Sequence, residues 1–288
     1  MIIRRPFASL WLALTVTFAV ATPGLAQTPP PAVVSAAPTH VELAAPDGRK
    51  IDVSVWQSTD ERGVVVFSHG AGGRPEGYGR IITEWVTAGF TVLAPLHVDS
   101  QSHPDRVAFD GPTGFFARIA DLSVVRGYVK TAHPGRPLVV AGHSYGSLLA
   151  MMSGGAVTVV GPQGDPSVRA VVALSSPGNI PGLMTPGTWA GLTVPTLMIT
   201  GDVDLVEGYV VDWRDHRSPF DLSPAGGKLL LVFAGGDHSL VSNADDTDFG
   251  LMSRAIVDFM RAHALDDAEA RARLDALASS DGVTVEHR

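Results

Sequence analysis

Six short segments of this chain are almost unbrokenly apolar: residues 64–67, 90–94, 138–141, 168–174, 196–200 and 229–233. A strand with one wet face alternates apolar and polar residues. A strand that does not alternate has both faces covered, as in a parallel sheet sandwiched by helices. Between several of these runs, residues 81–88, 115–130, 144–152 and 249–263 carry apolar side chains at three- and four-residue spacing, the mark of a helix with one buried face. Strands alternating with helices imply right-handed crossovers. The expected fold is therefore α/β, a three-layer sandwich with a mostly parallel central sheet and helices on both faces. Ahead of it, residues 41–43 and 51–56 flank the turn pair Asp47-Gly48 and predict an N-terminal antiparallel hairpin.

The ends of the chain read differently. Arg4 and Arg5 precede an apolar stretch over residues 10–20, and small-x-small sites follow at residues 19–21 and 24–26. This is the pattern of a signal peptide, residues 1–26, with cleavage expected after Ala26. The stretch is short for a membrane span. Arg4-Arg5-Pro6-Phe7 also resembles a twin-arginine signal. Residues 27–40, rich in Pro, Ala and Ser, read as a flexible leader. The folded domain is expected over residues 41–265, with a surface helix and tail over 266–288 whose last residues fray. Residues 154–166 read as a Gly- and Pro-rich loop, and the gaps between strands leave no room for a separate lid domain. The mature protein is expected to be periplasmic or secreted, without membrane contact after cleavage.

Composition narrows the function. A net charge of -8 with no clustered Lys and Arg in the mature region gives nucleic acid nothing to hold. The absence of cysteine excludes disulfides, thiolate metal sites and a Cys nucleophile. No phosphate-binding or dinucleotide fingerprint is present, because the glycines of residues 69–79 have the wrong spacing.

"LVVAGHSYG", residues 138–146, places Ser144 where an apolar run ends and a helix begins. In a parallel sheet, ligands bind beyond the carboxyl ends of the strands. A turn this tight strains the serine backbone and leaves no space for side chains at Gly142 and Gly146. It lifts the hydroxyl into the cleft, with a helix N-terminus behind it. A serine hydroxyl is a weak nucleophile until a base takes its proton and a carboxylate orients the base. Downstream, Asp202 and Asp204 lie just beyond the run ending at residue 200, and His238 lies just beyond the run ending at 233. These groups belong to one edge of the sheet. "FSHGAGG", residues 67–73, closes another strand in a Gly-rich turn. It offers the backbone N–H of Ala71, which with that of Tyr145 would face the oxygen of a tetrahedral intermediate. His69 reads as a residue ordering that loop. Substrate contacts are expected from Tyr145, Met184, Trp189 and His97. His97, Asp99 and His103 also have metal-ligand chemistry, but no dense motif accompanies them, so neither metal nor cofactor is expected.

"FSHGAGG", "GHSYG", "TGDVD" and "GGDHS" stand in the order found in the α/β-hydrolase superfamily, which the chain resembles over roughly residues 41–263. Within it, residues 216–239 look most like dienelactone-hydrolase and platelet-activating-factor-acetylhydrolase-like esterases, although dienelactone hydrolases normally use Cys where this chain has Ser144. The resemblance implies a Ser–His–Asp serine esterase and, counting from Gly201, points to Asp204 as the acid. The expected activity is hydrolysis of small or polymeric carboxylic esters through an acyl-enzyme on Ser144. Transfer of the acyl group to another nucleophile, or silent binding on the same scaffold, are the alternatives. Oligomeric state is not legible.

Overall fold

The computed structural model describes residues 37–109 and 111–288. The expected signal peptide and most of the leader lie outside the described residues. The strands are β1 Thr39–Ala44, β2 Lys50–Trp56, β3 Gly63–Ser68, β4 Phe90–Pro95, β5 Leu138–His143, β6 Val157–Thr158, β7 Gly161–Pro162, β8 Val168–Leu174, β9 Thr196–Gly201, β10 Lys228–Phe233 and β11 Val283–His287. The helices are α1 Gly79–Thr87, α2 Gly111–Ala132, α3 Tyr145–Ser153, α4 Ser218–Leu222, α5 Leu240–Asn243, α6 Asp246–Ala264 and α7 Ala268–Asp275.

Nine strands form one sheet in the order β1-β2-β4-β3-β5-β8-β9-β10-β11. The six strands from β4 to β10 in that order pair in parallel, and antiparallel strands border them at both edges. The unbroken apolar runs have a direct cause in this arrangement. Val65 and Phe67 of β3 pack with α1 and α6 on one face, whereas Val64 and Val66 pack with α2 and α3 on the other. The same split runs through β5, where Val139 and Ala141 face one layer and Leu138 and Val140 the other. Each strand therefore contributes to two cores, and neither face tolerates polar alternation.

Two expectations at the ends change. β1 begins at Thr39, inside the segment read as leader, because Thr39 and His40 pair with Val55 and Ser54. The tail does not fray. After α7, β11 pairs antiparallel with β10 and buries Val283. Val283-Thr284-Val285 has the alternation of an edge strand, which covers the otherwise open side of β10. The 154–166 loop holds the small β6–β7 hairpin. No helix among the described residues is long and apolar enough to cross a membrane.

Candidate active site

Ser144 follows β5 directly and has φ 51°, ψ -120°, a left-handed conformation costly for a residue with a side chain. Glycines make this turn possible. A Cβ at Gly146 would sit 2.0 Å from the Ser68 carbonyl oxygen, and one at Gly142 would sit 2.3 Å from the backbone of Gly146. Strand β3, the elbow and helix α3 can approach this closely only without those side chains.

His238 lies in the turn after β10. Its Nε2 is 2.9 Å from Ser144 Oγ, and its Nδ1 is 2.7 Å from Asp204 Oδ1. A neutral imidazole with its proton on Nδ1 donates to the carboxylate and accepts from the serine hydroxyl. This is the disposition a base needs to remove that proton. Asp204, fully buried, lies just beyond β9. Burial alone would raise its carboxyl. The donors around it outweigh burial and hold it far below the usual carboxylate range. They include His216, His238 and the Thr200 hydroxyl, which donates to Oδ2 at 2.8 Å. Asp202 instead accepts from the Gly235 N–H at the surface. The two turns can lie side by side because a Cβ at Gly201 would sit 1.9 Å from the Gly236 carbonyl oxygen.

On the other flank, the turn 69–73 is held from below by the guanidinium of Arg118, which is wholly buried. Arg118 donates to the carbonyls of His69 and Gly70 at 2.7 and 3.1 Å and to both oxygens of Asp99 at 2.7 and 2.9 Å. Asp99 in turn accepts from the Gly72 N–H at 3.2 Å. Burial would raise the Asp99 carboxyl, but Arg118 brings it down to about 2. Behind this pair, Asp121 is pushed up to about 6 by burial, despite Arg49 donating to it at 3.0 Å. Ala71 lines the cleft with Ser144 and Tyr145. Neither the Ala71 nor the Tyr145 amide is taken up by an acceptor among the described residues, so both N–H groups are free to meet a developing oxyanion.

A hydrogen-bonded bridge joins the flanks beneath Ser144. The Gly70 N–H donates to the Tyr78 hydroxyl at 3.1 Å, and Tyr78 donates to His143 Nδ1 at 2.8 Å. His143 Nε2 then donates to the His238 carbonyl at 2.9 Å. Burial, then the neighbouring His238, brings His143 down to about 4, so it stays neutral and can serve both bonds.

The cleft above Ser144 opens into a cavity of about 970 Å³ with a mainly apolar wall. Val107, Phe109, Phe115 and Phe116 line one side, Ile180 and Leu183 another, and Val206, Tyr209 and Val210 a third. The segments after β4, β8 and β9 form its walls. Tyr145 reaches it, with its ring stacked 5.8 Å from Phe115 and the Arg118 guanidinium 4.7 Å from the same ring.

Three expected substrate contacts do not line it. Trp189 is buried in the core, where so large an apolar ring gains more than at a wall. Met184 packs against that core, and Leu183 from the same turn faces the cavity instead. His97 is fully buried: it donates from Nδ1 to Asp121 at 3.3 Å and accepts from the Ser68 hydroxyl at 2.9 Å. Its own N–H donates to His69 Nε2 at 3.1 Å, so both histidines brace the turn from within. The ligand-type atoms that gather are not those of His97, Asp99 and His103. They belong to Asp204, His216 and His238, within 4.8 Å of one another.

Sequence reading missed two residues. Arg118 occupies a position in the apolar stripe Phe115–Arg118–Leu122–Val125–Val129 of α2, all five being buried. A charge in that stripe was the available signal, since an arginine there must find buried acceptors. His216 sits in the short turn Trp213–Arg217, where no periodicity marks it.

Residues 59–190 match the family described as serine aminopeptidase, S33. A monoacylglycerol lipase of Mycolicibacterium smegmatis is 26% identical over 215 residues, which cover 70% of this chain and 73% of that protein. The crystal structure of TT1662 from Thermus thermophilus superposes with a TM-score of 0.56 at 16% identity, covering 79% of this chain and 98% of that one. These likenesses stand at a broader level than the esterase subgroups suggested by residues 216–239. With its parallel sheet and strand-to-helix serine turn, the chain has the α/β-hydrolase fold.

Proposed function

We propose that the protein is an exported serine esterase that cleaves carboxylic esters with a sizeable apolar acyl or alcohol part. One observation carries the reading: Ser144 Oγ lies 2.9 Å from His238 Nε2, and the far side of that ring lies 2.7 Å from a buried carboxylate. Ser144 Oγ attacks the ester carbonyl as His238 takes its proton, and the C–O bond forms. The carbonyl oxygen, now charged, is met by the N–H groups of Ala71 and Tyr145. Asp204 keeps the His238 ring in register and stabilises the imidazolium. The tetrahedral species collapses, the alkoxide leaves with the proton from His238, and the acyl group stays on Ser144. Water activated by His238 then releases the acid. The apolar wall of the cavity supports an apolar substrate, and the lipase relative supports ester chemistry over amide chemistry. Export rests on residues 1–26 alone, and a mature N-terminus at Gln27 is its check.

The test is a panel of aryl esters of graded acyl length, run on the wild type and on Ser144→Ala. Turnover should fall about 10⁵-fold or more with the fold intact, and a loss of less than about tenfold would overturn the proposal.

A further inference from the structure

His216 is buried against Asp204. Its Nδ1 lies in hydrogen-bond contact with the Ser176 carbonyl oxygen. Its Nε2 is 2.9 Å from the Asp204 carbonyl oxygen and 3.0 Å from Asp204 Oδ1. Every one of these partners is an acceptor. A neutral imidazole has one bare nitrogen, which in this buried position would face an oxygen lone pair. Only the imidazolium, with a proton on each nitrogen, satisfies both sides.

We infer that His216 is a buried cation against the Asp204 carboxylate and a positioning residue that sets the acid limit of the reaction at Ser144. The inference rests on the serine-hydrolase reading above. Asp204 Oδ1 is shared between His238 Nδ1 and His216 Nε2. The carboxylate that would draw a proton onto His238 is therefore already partly neutralised, and the two imidazole rings lie 6.1 Å apart. A like charge at this range disfavours protonation of His238. The acid limit of the reaction should therefore lie lower than Asp204 alone would set it. Burial by itself would push His216 down, but the Asp204 carboxylate beside it outweighs burial and raises it above the ordinary histidine value.

Few other charges face the pair. His143 approaches His238 from β5 at 5.0 Å between rings and is neutral, and Asp237 lies in the turn of His238 itself. In the segment of His216, Arg214 pairs with Asp212 and Arg217 with Asp221 and Glu286, leaving Asp215 as the other carboxylate.

Two measurements test this. Long-range proton–nitrogen NMR on histidine-labelled wild-type protein, with His216 identified by its loss in His216→Gln, should show both of its ring nitrogens protonated at neutral pH. One bare nitrogen would overturn the inference. The second measurement is the pH profile of kcat/KM on a soluble short-chain aryl ester. His216→Gln keeps a donor toward Asp204 but no charge, and its acid limb should move up by about one pH unit. A lower plateau with an unmoved limb would reduce His216 to a structural role. Stoichiometric zinc in the purified protein, held by Asp204, His216 and His238, would replace the cation with a metal and also overturn the inference. Ser144→Ala keeps the two readings apart. If that variant is active, the esterase proposal fails; if it is dead and the limb does not move, only the role of His216 fails. The NMR result depends on neither activity.

Discussion

The two flanks of Ser144 hold their working groups by opposite means. On the base side, the group to be placed is a side chain, His238, and one buried carboxylate fixes it directly. On the oxyanion side, the group to be placed is a backbone N–H in a glycine-rich turn, which has no side chain to grip. There the neighbouring carbonyls are gripped instead: Arg118 takes those of His69 and Gly70, while Asp99 takes the N–H of Gly72. A side chain can be aimed by one partner, whereas a backbone amide needs a scaffold on both sides. This is why a small turn is underlain by four buried charged or polar groups, Arg118, Asp121, His69 and His97.

Breaking the base side should cost the most. Asp204→Asn leaves the shape but favours the wrong His238 tautomer, and kcat on a soluble aryl ester should fall about 10⁴-fold. Breaking the oxyanion side should cost less, because the Tyr145 amide remains. Arg118→Lys keeps the charge but cannot reach two carbonyls and a carboxylate at once. Its kcat should drop about 10²-fold with KM much less changed, and equal losses in the two variants would erase the contrast between the flanks.

Stability against pH sharpens the same comparison within the oxyanion side. Asp99, at about 2 when folded, lies below its unfolded value, so it adds stability that is complete above about pH 4 and is lost as pH falls toward 2. Asp121, at about 6, lies above its unfolded value. The folded chain then binds the extra proton, and stability declines as pH rises from about 4 to 6. The first effect is worth about 2 kcal/mol and the second about 3 kcal/mol. Denaturant melts across this range should show the second decline in the wild type and a flatter profile in Asp121→Asn.

The smallest effect is expected at the cavity mouth. Phe116 and Tyr209 are 57% and 74% exposed while lining the cavity, and Val107 beside them is 99% exposed. Phe116→Ser with Tyr209→Ser should raise KM for long-chain acyl esters about tenfold, by loss of apolar contact, and leave acetyl esters unaffected. An equal change for both ester lengths would mean that the wall does not read the acyl chain.

Much of this molecule is legible without coordinates. The apolar runs announce strands covered on both faces. Gly142 and Gly146 announce a turn too tight for side chains, and the ends of three strands place Ser144, Asp204 and His238 on one rim. Other residues mislead because the same chemistry serves two places. Trp189, Met184 and His97 have the character of pocket residues, yet two are packed in or against the core and the third is a neutral strut inside it.

The core strands, the glycine elbow and the candidate nucleophile follow from local pattern, because hydrophobic periodicity and backbone sterics act over a few residues and are written in them. The partners of Arg118 and His216 do not. A buried charge is decided by which acceptors lie around it, and those come from the turns after β3, β4, β8 and β9, 12 to 49 residues away along the chain. Only the packed sheet brings the carbonyl of Ser176 and the carboxylate of Asp204 to opposite sides of one imidazole.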